Sequence, residues 1–103
     1  WHHCSWDVPG IEDVGLGADQ MEKAGFKAGW GTGRHVLGSN YFHYKQDPWG
    51  SFVEYSADID YIPKGATWDT NNWPPEDSLS LWGPEVPEIF LANSETQLWK
   101  KAA

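Results

Sequence analysis

The stretch SNYFHYKQDPWGSFVEYSA, residues 39–57, decides the fold. Its two arms, 39–46 and 51–57, are rich in aromatic and β-favouring residues, and Asp47-Pro48-Trp49-Gly50 between them is a strong turn signal. The reading is an antiparallel hairpin. Strict alternation puts Phe42 and Tyr44 on one face and His43 on the other, and the tight turn makes Tyr44 and Glu54 neighbours across the two strands.

Working back from the hairpin, GWGTGRHVLG at 29–38 carries four glycines beside Trp30 and His35. It reads as a loop that lets side chains approach a site closely. A short strand is expected near 26–29. Before it, Ile11, Val14, Ala18 and Met21 recur at helical spacing between Pro9 and Gly25, an amphipathic helix ending in a left-handed glycine cap. Gly15 and Gly17 cost that helix about 1 kcal/mol each relative to alanine, so packing must hold it. Residues 2–8 alternate as a first strand, with His3, Ser5 and Asp7 on one face and Cys4, Trp6 and Val8 on the other. A last extended piece is expected over 58–62, ended by Pro63. The fold class is therefore α+β, a βαβββ module over residues 1–63. An irregular tail rich in Trp and Pro follows over 64–103 and is expected to wrap over a neighbouring surface.

Composition limits what such a module can do. The chain has 103 residues, eight of them Trp, and a net charge of −8. A core of this size leaves little surplus stability, so a partner module would help. The acidic balance argues against nucleic acid or an anionic membrane surface as partner, since both need a basic patch. Cys4 is the single cysteine, and no apolar run approaches the roughly 20 residues of a membrane span, so a reducing cytoplasm is the expectation. The sequence opens on WHHCSWDV, which reads like the middle of a strand, and the chain is expected to start inside a larger protein.

Mononuclear Fe(II) oxygenases hold the metal with two neutral imidazoles and one carboxylate, leaving adjacent positions open. His3 in the first strand and Glu54 in the last can both point into one concavity although they lie 51 residues apart. For each residue alone the bland reading competes: His2-His3 as ordinary strand residues, Glu54 paired with Lys45 at the surface, His35 capping a loop, Tyr44 as a core aromatic.

HHCSWDV, GRHVLGSNYFHY and DPWGSFVEY together resemble the extradiol ring-cleavage dioxygenases of the catechol 2,3-dioxygenase type, within the vicinal oxygen chelate superfamily. The resemblance covers residues 2 to about 57. It implies that His3, the second His of the pair, and Glu54, in Gly-x-x-x-Glu, ligate the metal. The intervals of nine from His35 to Tyr44 and ten from Tyr44 to Glu54 also follow the family pattern. Supporting roles for His35 and Tyr44 are implied too: hydrogen bonding to the bound catecholate or its oxygenated product, and steering of the ring.

The implied cofactor is Fe(II), with Mn(II) accepted by the same ligands. The implied substrates are an aromatic vicinal diol and O2, cleaved beside the two hydroxyls. The third ligand and the acid/base His would lie in an upstream module of the same protein, and an assembly of identical subunits is expected. His2 is expected to face the opposite side, His43 to face away, Trp30 to form a pocket wall, and Cys4 to be a small buried hydrophobe. Two other functions use the same fold: a non-redox metal-dependent isomerase of the glyoxalase kind, and a metal-free ligand-binding module like the bleomycin-resistance proteins.

Overall fold

The computed structural model describes residues 1–69 and 72–92; the part of the tail that contains Trp99 lies outside the described residues. Strand β1 (His3–Asp7) leads through helix α1 (Ile11–Lys23) to β2 (Gly29–Arg34), β3 (Tyr41–Gln46) and β4 (Phe52–Ala57). The sheet order is β1-β4-β3-β2, with β1 parallel to β4 and the other pairs antiparallel. This is the βαβββ order expected from the sequence.

The hairpin forms as its turn chemistry requires. Asp47 Oδ1 accepts from the backbone N–H of Trp49 and of Ser51, each at 2.9 Å, closing the turn before Gly50 at φ +90°. Its register sets Tyr44 opposite Glu54 and His43 opposite Tyr55.

Helix α1 packs on β3 and β4. Val14, Gly17 and Ala18 are its buried residues, whereas Ile11 and Leu16 are exposed. Gly17 is required rather than tolerated, since a Cβ there would meet the Tyr55 ring at 2.1 Å, and the helix can approach the sheet only without it. Gly25 does follow the helix end with φ +99°. On this face Lys45 is buried and donates to Glu22 Oε2 at 2.6 Å. Lys45 therefore belongs to the helix side and is not the partner of Glu54.

Three elements depart from the sequence reading. The glycine-rich segment is a strand over Gly29–Arg34, not a loop, and the strand expected at 26–29 falls there instead. Its missing side chains are what make the pairing possible: a Cβ on Gly33 would lie 2.8 Å from both the Phe42 ring and the Trp82 carbonyl oxygen. Residues 58–62 form no strand, although Asp60 N–H donates to the Gly38 carbonyl at 2.8 Å. Trp6 is exposed rather than half-buried, because β1 is the sheet edge beyond the helix.

The face opposite α1 is covered by the tail. Arg34 N–H donates to the Trp82 carbonyl at 3.0 Å and Leu81 N–H to the Arg34 carbonyl at 2.7 Å, an antiparallel bridge on the outer edge of β2. Farther on, Phe90 inserts into a cluster with Trp30, Phe42, Tyr44 and Phe52. Burying such rings contributes about 1.5–3 kcal/mol each. Among the described residues no helix is long and apolar enough to cross a membrane.

Candidate metal centre

His3 on β1, Tyr44 on β3 and Glu54 on β4 share the tail-covered face, because pairing of Ser5 with Glu54 and of Glu54 with Tyr44 aligns the three strands. Glu54 and Tyr44 are both buried, each at 4% exposure. His3 Nε2 stands 3.8 Å from Glu54 Oε2, and His35 Nε2 stands 3.3 Å from Glu54 Oε1. His35 reaches the group from the loop after β2, and its Nε2 is also 3.0 Å from the Tyr44 hydroxyl. The four residues singled out from the sequence therefore meet at one place.

Burial works against the Glu54 carboxylate, but hydrogen bonding with His35, which needs a proton on the Nε2 of that ring, and with Ser5 and Tyr44 outweighs it and holds its pKa below the ordinary value. His3 is likewise held below the ordinary imidazole value: burial lowers it, the Glu54 charge opposes, and His2 and His35 add to the lowering. Burial first, then the Glu54 charge and hydrogen bond, push the Tyr44 phenol far up, so it stays protonated and can donate. An ionised carboxylate beside a neutral imidazole is the donor state a divalent metal needs. Among the described residues no three imidazole, thiol or carboxylate groups are disposed to hold a metal together; His3 and Glu54 are two such groups 3.8 Å apart.

The His35 ring is fixed from behind. Its Nδ1 is 2.8 Å from the Leu79 carbonyl, which can only accept, so Nδ1 carries the proton and Nε2 is presented to Tyr44 and Glu54. The ring also stacks on Phe42, with centroids 4.0 Å apart.

A pocket of about 310 Å³ opens over the group, with Trp30, Leu79 and Phe90 as apolar walls and His3, His35 and Tyr44 as polar points. That volume is at the small end of ligand sites and suits one small ring better than an extended substrate. Trp30 is a wall as expected, held by donation from Nε1 to the Pro84 carbonyl at 2.9 Å.

His43 does face away: its Nδ1 is 3.0 Å from Thr32 Oγ1, and burial, together with Lys45, lowers its pKa to about 4. His2 does not. It precedes β1, so strand alternation does not bind it, and its ring turns onto the pocket side against Phe52 and Phe90. Sequence reasoning also missed Ser5 and the tail carbonyls. Ser5 had a signal, since it shares the face of His3; the carbonyls had none, because backbone groups carry no residue signature.

The chain is similar to known proteins along most of its length. The chain is 64% identical over 95 residues, 92% of its length, to metapyrocatechase 2 of Cupriavidus necator. Over that length the chain is similar to part of an extradiol-type enzyme, the metapyrocatechase. It spans 30% of that relative's length. No family model matches the chain. Among solved structures, the Mn(II)-bound glyoxalase from Novosphingobium aromaticivorans superposes with a TM-score of 0.76 at 27% identity, over 85% of this chain and 30% of that one. BphC, a halotolerant catechol dioxygenase, follows with a TM-score of 0.68 at 26% identity, over 80% and 26% of the two chains. A catechol 2,3-dioxygenase at 16% identity and TM-score 0.65 shares the fold. The α+β module is thus the vicinal oxygen chelate fold.

Proposed function

We propose that this chain is the metal-holding C-terminal module of an extradiol-type, Fe(II)-dependent dioxygenase that opens the ring of a catechol-type vicinal diol with O2. The observation that carries the reading is the buried, ionised Glu54 beside the neutral His3, with His35 and Tyr44 aimed at the same pocket. His3 and Glu54 would hold the metal, and a third ligand comes from an upstream module of the same protein. Bound there, Fe(II) would supply Lewis acidity toward both diol oxygens and electron exchange with dioxygen; Mn(II) suits the same donors.

This chain's own residues then do four things. His3 lines the pocket and Glu54 lies buried beside it, 3.8 Å away, so the two set metal donors side by side. His35, with its proton pinned on Nδ1, offers Nε2 as a hydrogen-bond acceptor, or as a donor once protonated, to oxygen of the bound substrate. Tyr44, kept protonated by burial, donates toward developing negative charge and steers the ring. Trp30 and Phe90 exclude water, which strengthens each of these interactions.

In this reading residues 1–63 are the module and 64–103 a tail, of which Ser78, Leu79 and Phe90 complete the pocket wall. The protein works in a reducing cytoplasm as an assembly of identical subunits. Anaerobic reconstitution of the complete protein with Fe(II), then addition of catechol and oxygen, is expected to give a yellow ring-opened product. The glyoxalase of similar fold favours one second reading, a non-redox isomerase; isomerase turnover with no ring-opened product from any diol would establish it instead.

A further inference from the structure

His2 is the one imidazole in the pocket that the proposed chemistry leaves unused. Its ring packs against Phe52, with centroids 5.4 Å apart and planes at 24°, and meets Phe90 edge-on at 4.6 Å. Both of its nitrogens are engaged. Nε2 contacts the Phe90 carbonyl oxygen, and Nδ1 lies 2.7 Å from Nδ1 of His3.

The chemistry of the partners orders the protons along this chain of contacts. A carbonyl has no hydrogen to give, so His2 Nε2 must carry the proton and donate. In the neutral ring His2 Nδ1 is then bare and can only accept, which places a proton on His3 Nδ1. Neutral His3 therefore has its lone pair on Nε2, the nitrogen 3.8 Å from Glu54 Oε2. Outer partners that fix the tautomer of a ligating imidazole are a general need of metal sites, and losing one typically costs 10–100-fold in metal affinity.

We propose that His2 is a positioning residue that sets the tautomer of His3, relaying the hydrogen-bond demand of the tail carbonyl at Phe90 to the metal-facing nitrogen. Docking of the tail and readiness of the metal site are thereby joined through one side chain. The proposal rests on His3 being a ligand.

Two variants separate this role from packing. His2→Phe keeps an aromatic ring between Phe52 and Phe90 but removes both nitrogens. His2→Gln gives up the ring, yet its amide can donate to the Phe90 carbonyl and accept from His3 Nδ1. The tautomer is read from the imidazole ¹⁵N shifts of His3 in the complete, metal-free protein. Mn(II) affinity is read from the resonance of the free aquo ion, with His3→Ala alongside.

Expected is a protonated Nδ1 on His3 in the wild type and in His2→Gln, and a mixture of tautomers in His2→Phe. His2→Phe is expected to bind Mn(II) about 10–100-fold more weakly, with His2→Gln recovering most of the loss. Wild-type ¹⁵N shifts and Mn(II) affinity in His2→Phe, with binding lost in His3→Ala, would overturn the tautomer relay alone. Unchanged Mn(II) binding in His3→Ala would overturn the ligand reading and the relay together.

Discussion

Two glycines in one helix should respond to alanine with opposite signs. Gly15 and Gly17 both lie inside α1, and an alanine at either position gains about 1 kcal/mol in intrinsic helix propensity. A Cβ at Gly15 has nothing within 4 Å, so the gain is realised in full. A Cβ at Gly17 would lie 2.1 and 2.2 Å from two carbons of the Tyr55 ring, far inside contact distance. Either the ring shifts or the helix lifts from the sheet, and such overpacking costs about 1–3 kcal/mol. The net for Gly17→Ala is a loss of up to about 2 kcal/mol.

In a domain of this size 1 kcal/mol moves the melting midpoint by about 4–8 °C. Thermal unfolding followed by far-UV circular dichroism, checked by urea midpoints, should thus show Gly15→Ala above the wild type and Gly17→Ala below it. A rise of equal size in both variants would refute the close packing of α1 on Tyr55 of β4.

His43 predicts an acid-side loss of stability. Its folded pKa of about 4 lies below the unfolded value of about 6.5, so the unfolded chain takes up the proton first. The stabilisation is whole above pH 6.5 and falls as pH drops toward 4. Lys45 opposes that proton while Glu22 and Asp19 favour it, and partial solvation of the ring limits the loss to about 1–2 kcal/mol. Urea midpoints from pH 7.5 to 4.5 should therefore fall less in His43→Gln than in the wild type; parallel curves would count against a buried neutral His43. Tyr44→Phe removes a donor and leaves both proposed ligands, so it should retain iron and slow ring opening by about 100–1000-fold, the range for losing one oriented donor. Metal analysis beside single-turnover kinetics checks it, and undiminished turnover would exclude the Tyr44 hydroxyl from the chemistry.

What could be read from the sequence was whatever depends on neighbours along the chain. Aromatic alternation around Asp47-Pro48-Trp49-Gly50 is a local pattern, and it placed Tyr44 beside Glu54 and turned His43 to the helix side. β2 escaped because its glycines look like loop residues, while the reason for them, the Phe42 ring on one side and the Trp82 backbone on the other, comes from elements far along the chain. The docking residues of the tail escaped for a similar reason. The tail is held by single contacts at Trp82, Pro84 and Phe90 rather than by a period, so no pattern announces which residues dock. The direction of His2 depends on the Phe90 carbonyl, 88 residues away.

The central claim is that His3 and Glu54 bind one metal ion. Equilibrium dialysis of the complete protein against Fe(II) under anaerobic conditions, and against Mn(II) in parallel, tests it without reference to turnover. The account predicts one tightly held ion in the wild type and none retained in His3→Ala or Glu54→Gln, with both variants still folded by circular dichroism. Wild-type metal retention in Glu54→Gln would contradict it.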